Sequence, residues 1–211
     1  MLFFVDLHQS FAMSLAKDFP LHRAARLNDL DKVRNLIEND GADINKKNSS
    51  GRTTFHLAVA SDSIDIINYL LEESDVNINL QDNEGITPLM SSVVLANELF
   101  QKLIDNNVDL HIVDESKRTA LHWAAHVSNQ EAMRALIKAG SEISALDFKM
   151  QTPLHLAAIG GFTECCRILV HAGADLNVVD EEGLSPADLA RKSHHEDALK
   201  FLVSFLCISF D

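Results

Sequence analysis

One seven-residue pattern returns at nearly constant spacing along most of the chain, and no other feature restricts the fold as strongly. It reads FPLHRAA from Phe19, TTFHLAV from Thr53, TPLMSSV from Thr87, TALHWAA from Thr119, TPLHLAA from Thr152 and SPADLAR from Ser185. Its third position is Leu21, Phe55, Leu89, Leu121, Leu154 and Ala187, so successive steps are 34, 34, 32, 33 and 33 residues. One such unit is too small to bury its own apolar face, so six in series predict an array held together by stacking of neighbours.

Each unit carries its own folding signals. Thr or Ser at the window start can cap a helix, and Pro at the next position occupies the first helical residue, where no amide donor is needed. A second apolar run follows, as in CCRILV and AMRALI, and then a glycine, Gly41, Gly140 or Gly173, suited to a left-handed helix end. The link beyond it, as in ADINKKNSSG and ADLNVVDEEG, is rich in Asp, Asn and Gly and predicts a tight turn. Ala24, Ala25, Ala124, Ala125, Ala157 and Ala158 allow adjacent helices to approach closely. The unit is therefore helix, turn, helix, projecting turn.

Charge narrows the partners. The 18 Lys and Arg residues stand against 31 Asp and Glu, giving a net charge of −13. Such a surface repels phosphate backbones, which disfavours direct nucleic-acid binding and leaves a basic protein partner open. Three cysteines, two of them the neighbours Cys165 and Cys166, suit a reducing setting, cytosol or nucleus. The start MLFFVDLHQSFAMSLAKDF lacks a basic leader region and makes a poor secretory signal. Within it Phe4, Leu7, Phe11 and Leu15 recur at helical spacing, which predicts a helix covering the open end of a core. The apolar stretch FLVSFLCISF is about half of what a spanning helix needs, so membrane insertion is not expected.

The windows resemble the TPLHxAA signature of ankyrin repeats, over residues 19 to about 203. The resemblance implies an all-α ankyrin-repeat solenoid of six helix-turn-helix units with short hairpin-like turns, at roughly 19–51, 52–85, 86–117, 118–150, 151–183 and 184–203. Residues 1–18 are then an amphipathic capping segment and 204–211 an apolar tail.

His22, His56, His122 and His155 invite a metal reading. They fall one per unit, and helices about 8 to 10 Å apart cannot bring two such rings to within about 2.1 Å of one zinc ion. The resemblance implies a packing role for them, bridging the window threonine and the next repeat's backbone. Cys165 and Cys166 occupy places where other units carry apolar residues, which predicts core. His194, His195 and Asp197 read as a solvated helix face near the array's end. The chain carries no phosphate-loop, GxGxxG, HExxH or GxSxG motif, so neither a catalytic nor a cofactor site is expected.

In ankyrin proteins the turn tips and the ends of the first helices face partners. The corresponding residues are Arg52, Ala60, Ser61, Asn83, Glu84, Ile86, Val94, Leu95, Glu115, Ser116, Arg118, His126, Val127, Phe148, Lys149, Gln151 and Ile159. Of these, Ile86, Leu95, Val127, Phe148 and Ile159 are apolar on consecutive units, and are expected to line one groove. Met90 replaces the window histidine in the third and shortest unit, removing one bridge. Lys117 and Met150 stand where Gly51, Gly85 and Gly183 stand in other turns, so those turns either hold a left-handed side chain or change shape.

Three stretches, GRTTFHLAVASD, ALHWAAHVSNQEAMRALIKAG and SPADLARKSHHEDALKFL, are similar to the intracellular ankyrin domain of Notch-type receptors and occur in the same order. That similarity implies a non-catalytic assembly platform joining a CSL-type DNA-binding factor and a basic Mastermind-type helix. An ankyrin inhibitor or chaperone-like adaptor, masking a kinase, a proteasome subunit or a transcription factor, is the alternative.

Overall fold

The computed structural model describes residues 19–73, 75–95 and 99–208, and among these it contains twelve α-helices and no strand. The expected capping segment, residues 1–18, lies outside the described residues, as does the last part of the tail. The chain divides into two compact units, Met1–Asn83 and Glu84–Asp211.

The first unit holds α1 (Pro20–Arg26), α2 (Leu30–Glu38), α3 (Thr54–Ala60) and α4 (Ile64–Glu72). The second holds α5 (Pro88–Leu95), α6 (Leu99–Asp105), α7 (Ala120–His126), α8 (Gln130–Lys138), α9 (Pro153–Ile159), α10 (Thr163–His171), α11 (Pro186–Lys192) and α12 (Glu196–Ile208). In the first unit α1 packs on α3 and α2 on α4. In the second, α5, α7, α9 and α11 form one layer, and α6, α8, α10 and α12 the other. No helix among the described residues is long and apolar enough to cross a membrane.

Local chemistry sets these boundaries. Thr152 Oγ1 accepts the His155 amide at 3.4 Å and Ser185 Oγ the Asp188 amide at 3.2 Å, while Pro153 and Pro186 open the helices they cap. Two of the second helices, α2 and α8, start on polar caps too, Asp29 Oδ1 accepting from Lys32 and Asn129 Oδ1 from Ala132. At their far ends Gly140 takes φ of 96°, and the Ser141 amide then closes onto the Leu136 carbonyl at 3.0 Å, the bond pattern of a left-handed helix stop. The shorter turns between α1 and α2, α3 and α4, α7 and α8, and α11 and α12 hold a left-handed residue as well, Asn28, Asp62, Ser128 and His194 with φ between 52° and 60°, and Gly161 does so between α9 and α10 at 69°.

The core lies between the layers. Phe55, Leu70, Leu121, Leu136, Leu154 and Leu169 are at most 1% exposed, and the window alanines 24, 25, 124, 125, 157 and 158 are equally hidden. Small side chains at those places let first helices touch closely, while the leucines supply the apolar area removed from water. Cys165 and Cys166 are fully buried in the same layer.

Candidate protein interaction face

The window histidines are joints of the array. The Thr119 amide donates to His122 Nδ1 at 3.1 Å, and Thr119 Oγ1 lies 2.9 Å from the same nitrogen. With Nδ1 accepting, the neutral ring carries its proton on Nε2, which donates to the Gln151 carbonyl at 3.0 Å. His155 repeats the device, with the Thr152 amide on Nδ1 at 3.1 Å and Nε2 3.3 Å from the Leu184 carbonyl. In the first unit His56 forms the same box with Thr53, and His22 Nε2 lies 3.1 Å from the Arg52 carbonyl. Burial lowers the pKa of His122 and His155, outweighing the carbonyl bonds that favour the charged ring, so both stay neutral near pH 7. At Met90 the Thr87 hydroxyl still caps the helix, accepting the Met90 amide at 3.3 Å, and only the ring bridge is absent.

The thiols are equally committed to packing. Burial pushes Cys166 up to about 12 and raises Cys165, whose Sγ lies 3.4 Å from Ser128 Oγ. Thiols raised in this way are protonated at neutral pH and poorly nucleophilic. His194 occupies a left-handed turn, and His195 is half-buried beside it. Among the described residues no group of His, Cys, Asp and Glu is placed to hold a metal ion.

The projecting turns are organised by a buried acid. Asp114 Oδ1 accepts the Ser116 and Arg118 amides at 2.8 Å, and Asp147 Oδ1 and Asp180 Oδ1 accept the matching amides of their own turns. The second carboxylate oxygen takes a side chain. Asp82 pairs with Arg52 Nε at 3.1 Å, Asp180 with Gln151 Nε2 at 3.1 Å, and Asp114 with both Arg118 Nε at 2.9 Å and Trp123 Nε1 at 3.1 Å. Burial alone would raise the Asp180 carboxyl, but the Leu184 amide, the Gln151 side chain and the Glu182 amide outweigh it and hold it below the usual carboxylate range.

That arrangement corrects the expected surface at one register position. Arg52, Ile86, Arg118 and Gln151 each stand immediately before a window threonine. Ile86 is 7% exposed and Gln151 9%, while Arg52 and Arg118 are half-buried in ion pairs. Arg118 also lies over the Trp123 ring, 4.1 Å from its centroid. At Arg52, Arg118 and Gln151 a turn aspartate draws the side-chain donor inward, making them braces, and at the same register position the apolar Ile86 is core. Sequence reading missed the aspartates, although their recurrence at 82, 114, 147 and 180 was available.

The other candidates are more open. Phe148 is 70% exposed, Leu95 39% and Ile159 36%; Glu84, Glu115, Ser116, His126 and Lys149 are exposed, whereas Val94 and Val127 are half-buried. Partial burial and then the Arg118 charge lower the His126 pKa. In the first unit Ala60 and Ser61 are half-buried, and Asn83 is exposed with its side chain donating to the Ser49 carbonyl.

Backbone bonds align the tips of the second unit. Glu115 N donates to Glu84 O at 3.1 Å, Phe148 N to Ser116 O at 2.8 Å, and Glu181 N to Lys149 O at 3.0 Å. The ends of α5, α7 and α9, which carry Leu95, His126 and Ile159, come from one packed layer. Three further exposed apolar residues were missed. Val113, Leu146 and Val179 are 40%, 44% and 47% exposed, each one place before a turn aspartate, and their 33-residue spacing was the available signal. Met150, 49% exposed, takes the left-handed conformation at φ of 58°, as Lys117 does at 60°, so both turns keep their shape and bear a side chain where glycine has none.

Comparison with known proteins places this geometry. The family model described as Ankyrin repeats (3 copies) matches residues 5–82, 74–147 and 145–208. Human neurogenic locus notch homolog protein 2 is 36% identical over 125 residues, 59% of this chain, and zebrafish (Danio rerio) neurogenic locus notch homolog protein 1 is 37% identical over 122 residues, 57% of it. The matched stretch is 5% of the length of either relative. Among solved structures, a chain from the complex of a Bdellovibrio bacteriovorus predatory endopeptidase with an immunity protein superposes with a TM-score of 0.80 at 26% identity, covering 89% of this chain and 98% of that one. An ankyrin repeat domain from Acinetobacter baumannii gives 0.79 at 25% identity, covering 88% and 96%.

Proposed function

Because the chain belongs to the ankyrin-repeat family, a generic protein-interaction module, we propose that it is a non-catalytic binding protein whose second unit grips its partner. The observation that carries this reading is the set of exposed apolar side chains on neighbouring repeats there, led by Phe148, with Leu146, Met150, Leu95 and Ile159. Apolar anchors at this exposure, rimmed by polar tips, are typical of the centre of protein contacts. Glu84, Glu115, Ser116, His126, Val127 and Lys149 form the rim.

The partner in this reading is a basic helix or a transcription factor of the CSL type, in a Notch-type transcriptional scaffold. The similarity to notch homolog proteins 1 and 2 and the net charge of −13 support it, since an acidic surface draws a basic partner by steering. Buried reduced thiols at Cys165 and Cys166 fit a cytosolic or nuclear setting. Titration calorimetry of the purified chain against a CSL-type factor with a Mastermind-type basic helix tests it. Saturable heat with the wild type, lost in the Leu95→Ser, Phe148→Ser, Ile159→Ser triple variant, is the expected result; no heat with the wild type overturns the Notch-type assignment.

One observation favours a second reading, an inhibitor that masks an enzyme. The solved structure that covers 89% of this chain is from a complex of an endopeptidase with an immunity protein. Binding to a protease instead of a CSL-type factor, through the same apolar residues, would select it.

A further inference from the structure

At Asp82, Asp114 and Asp180 the second carboxylate oxygen takes a side-chain donor, and at Asp147 it does not. Arg52 reaches forward to Asp82 Oδ2 and Gln151 to Asp180 Oδ2, each with a planar N–H donor at 3.1 Å. Arg118 holds the same register position and would serve Asp147 in that scheme. It turns back instead to Asp114, four residues earlier, with Nε and Nη2 both 2.9 Å from Oδ2 and its guanidinium over the Trp123 ring. Ile86, one repeat before, offers Asp114 no side-chain donor, and Arg118 fills that place.

Asp147 is thereby left with one oxygen committed and one open. Its Oδ1 accepts the Lys149 and Gln151 amides at 2.8 Å, whereas its Oδ2 takes no hydrogen bond from any described residue. The residue is only 9% exposed, yet this oxygen still reaches solvent, unlike the sealed hydroxyl of Thr54. A carboxylate mostly withdrawn from water gains most from a charge-assisted bond at the oxygen left over.

We propose that Asp147 Oδ2 receives an arginine of the partner protein, whose guanidinium stands where Arg52 and Gln151 stand at their own aspartates. This contact deepens the binding reading above and rests on it. Planar N–H donors fill both of the equivalent places, and of the two the guanidinium alone brings charge, which a chain of net charge −13 attracts. Leu146, Phe148 and Met150, exposed on the same turn, offer apolar cover to its methylene stem, and Phe148 adds an aromatic face for its plane. The apolar anchors and the acid beneath them thus select a partner residue that is long, planar and cationic.

Titration of the full chain with the peptide acetyl-Ala-Leu-Arg-Leu-Ala-amide, followed by amide NMR, tests this beside the same peptide carrying citrulline for arginine. Citrulline keeps the shape and the plane and loses the charge. The arginine peptide should shift the Lys149 and Gln151 amides saturably, and the citrulline peptide should bind about tenfold more weakly. Asp147→Asn keeps an oxygen for those two amides and should erase the difference between the peptides. Asp180→Asn, whose place Gln151 fills, should preserve it. Equal binding of the two peptides by the wild type, shifts confined to other repeats, or no shift with either peptide overturns the proposal, and each is read without a variant. Calorimetric binding of a partner protein alongside any of these results would leave the binding reading standing and remove only the arginine site.

Discussion

The Nε2 of His122 donates to the carbonyl oxygen of Gln151, 3.0 Å away, across the boundary between two repeats. His155 and the Leu184 carbonyl repeat the relationship at the next boundary. Within the second unit, two consecutive joints thus depend on an uncharged ring.

Acid should therefore loosen these joints. Both pKa values are lowered from 6.5 by burial, so the unfolded chain binds protons first as pH falls. Stability from these rings is complete above pH of about 6.5 and declines as pH drops towards their folded values. Asp180, also held low, adds a second loss below about pH 3.8, its ordinary value. Thermal midpoints of wild type and of His122→Leu across pH 4.5 to 8 provide the check. The variant should be less stable at pH 8 and show a shallower fall between pH 6.5 and 5. A parallel pair of curves would count against His122 as a titrating joint.

Truncating the core should be expensive at any of the inter-layer leucines. Leu121 and Leu154 are fully buried, and Leu→Ala at either should cost about 2 to 5 kcal/mol in urea unfolding, the sum of lost transfer and residual cavity. A cost near zero would mean that the layers do not share a packed core there.

Two turns hold a side chain in left-handed backbone. Met150→Gly and Lys117→Gly should each stabilise the protein by about 1 kcal/mol, because glycine adopts that conformation without strain from a Cβ. Gly183→Ala gives the mirror experiment. No heavy atom lies within 4 Å of the added carbon, so backbone strain alone should cost a similar ~1 kcal/mol. Chemical denaturation of the three variants reads both signs.

Asp114 is the hub of the turn between the third and fourth repeats, taking two amides, the Arg118 guanidinium and the Trp123 indole. Asp114→Ala should destabilise by about 2 to 4 kcal/mol, since buried donors lose their acceptor together. Trp123 is the chain's one tryptophan, so its emission should change in the folded variant and report the damage directly.

The parts of this fold that were readable in sequence are the parts decided locally. A threonine cap, a proline in the first helical place, a pair of alanines and a glycine stop each act within a few residues, and their recurrence fixed the helix pairs. The histidines were legible as packing for the same reason, because one ring per repeat has no second ring to share a metal with. What misled was the position occupied by Arg52, Ile86, Arg118 and Gln151. Its chemistry looks like that of a variable surface site, yet at Arg52, Arg118 and Gln151 a buried aspartate decides the direction, and for Arg52 and Gln151 that aspartate lies about thirty residues on. Val113, Leu146 and Val179 were overlooked because they sit in links that composition marks only as turns. The division at Asn83 leaves no trace in the repeat period.

The tip-to-tip bonds of the second unit have a consequence for how such a surface changes over time. Glu115, Phe148 and Glu181 are held in line through their amides, and the carbonyls that receive them belong to Glu84, Ser116 and Lys149. Main-chain groups already engaged in this row cannot add a partner's strand, so discrimination there falls to the side chains. The bonding inside the turns is supplied by the aspartates at 114, 147 and 180. New side chains at 115, 116, 148 and 149 would therefore alter whom the protein meets while leaving its scaffold standing, and lineages of such chains are free to drift in specificity faster than in shape.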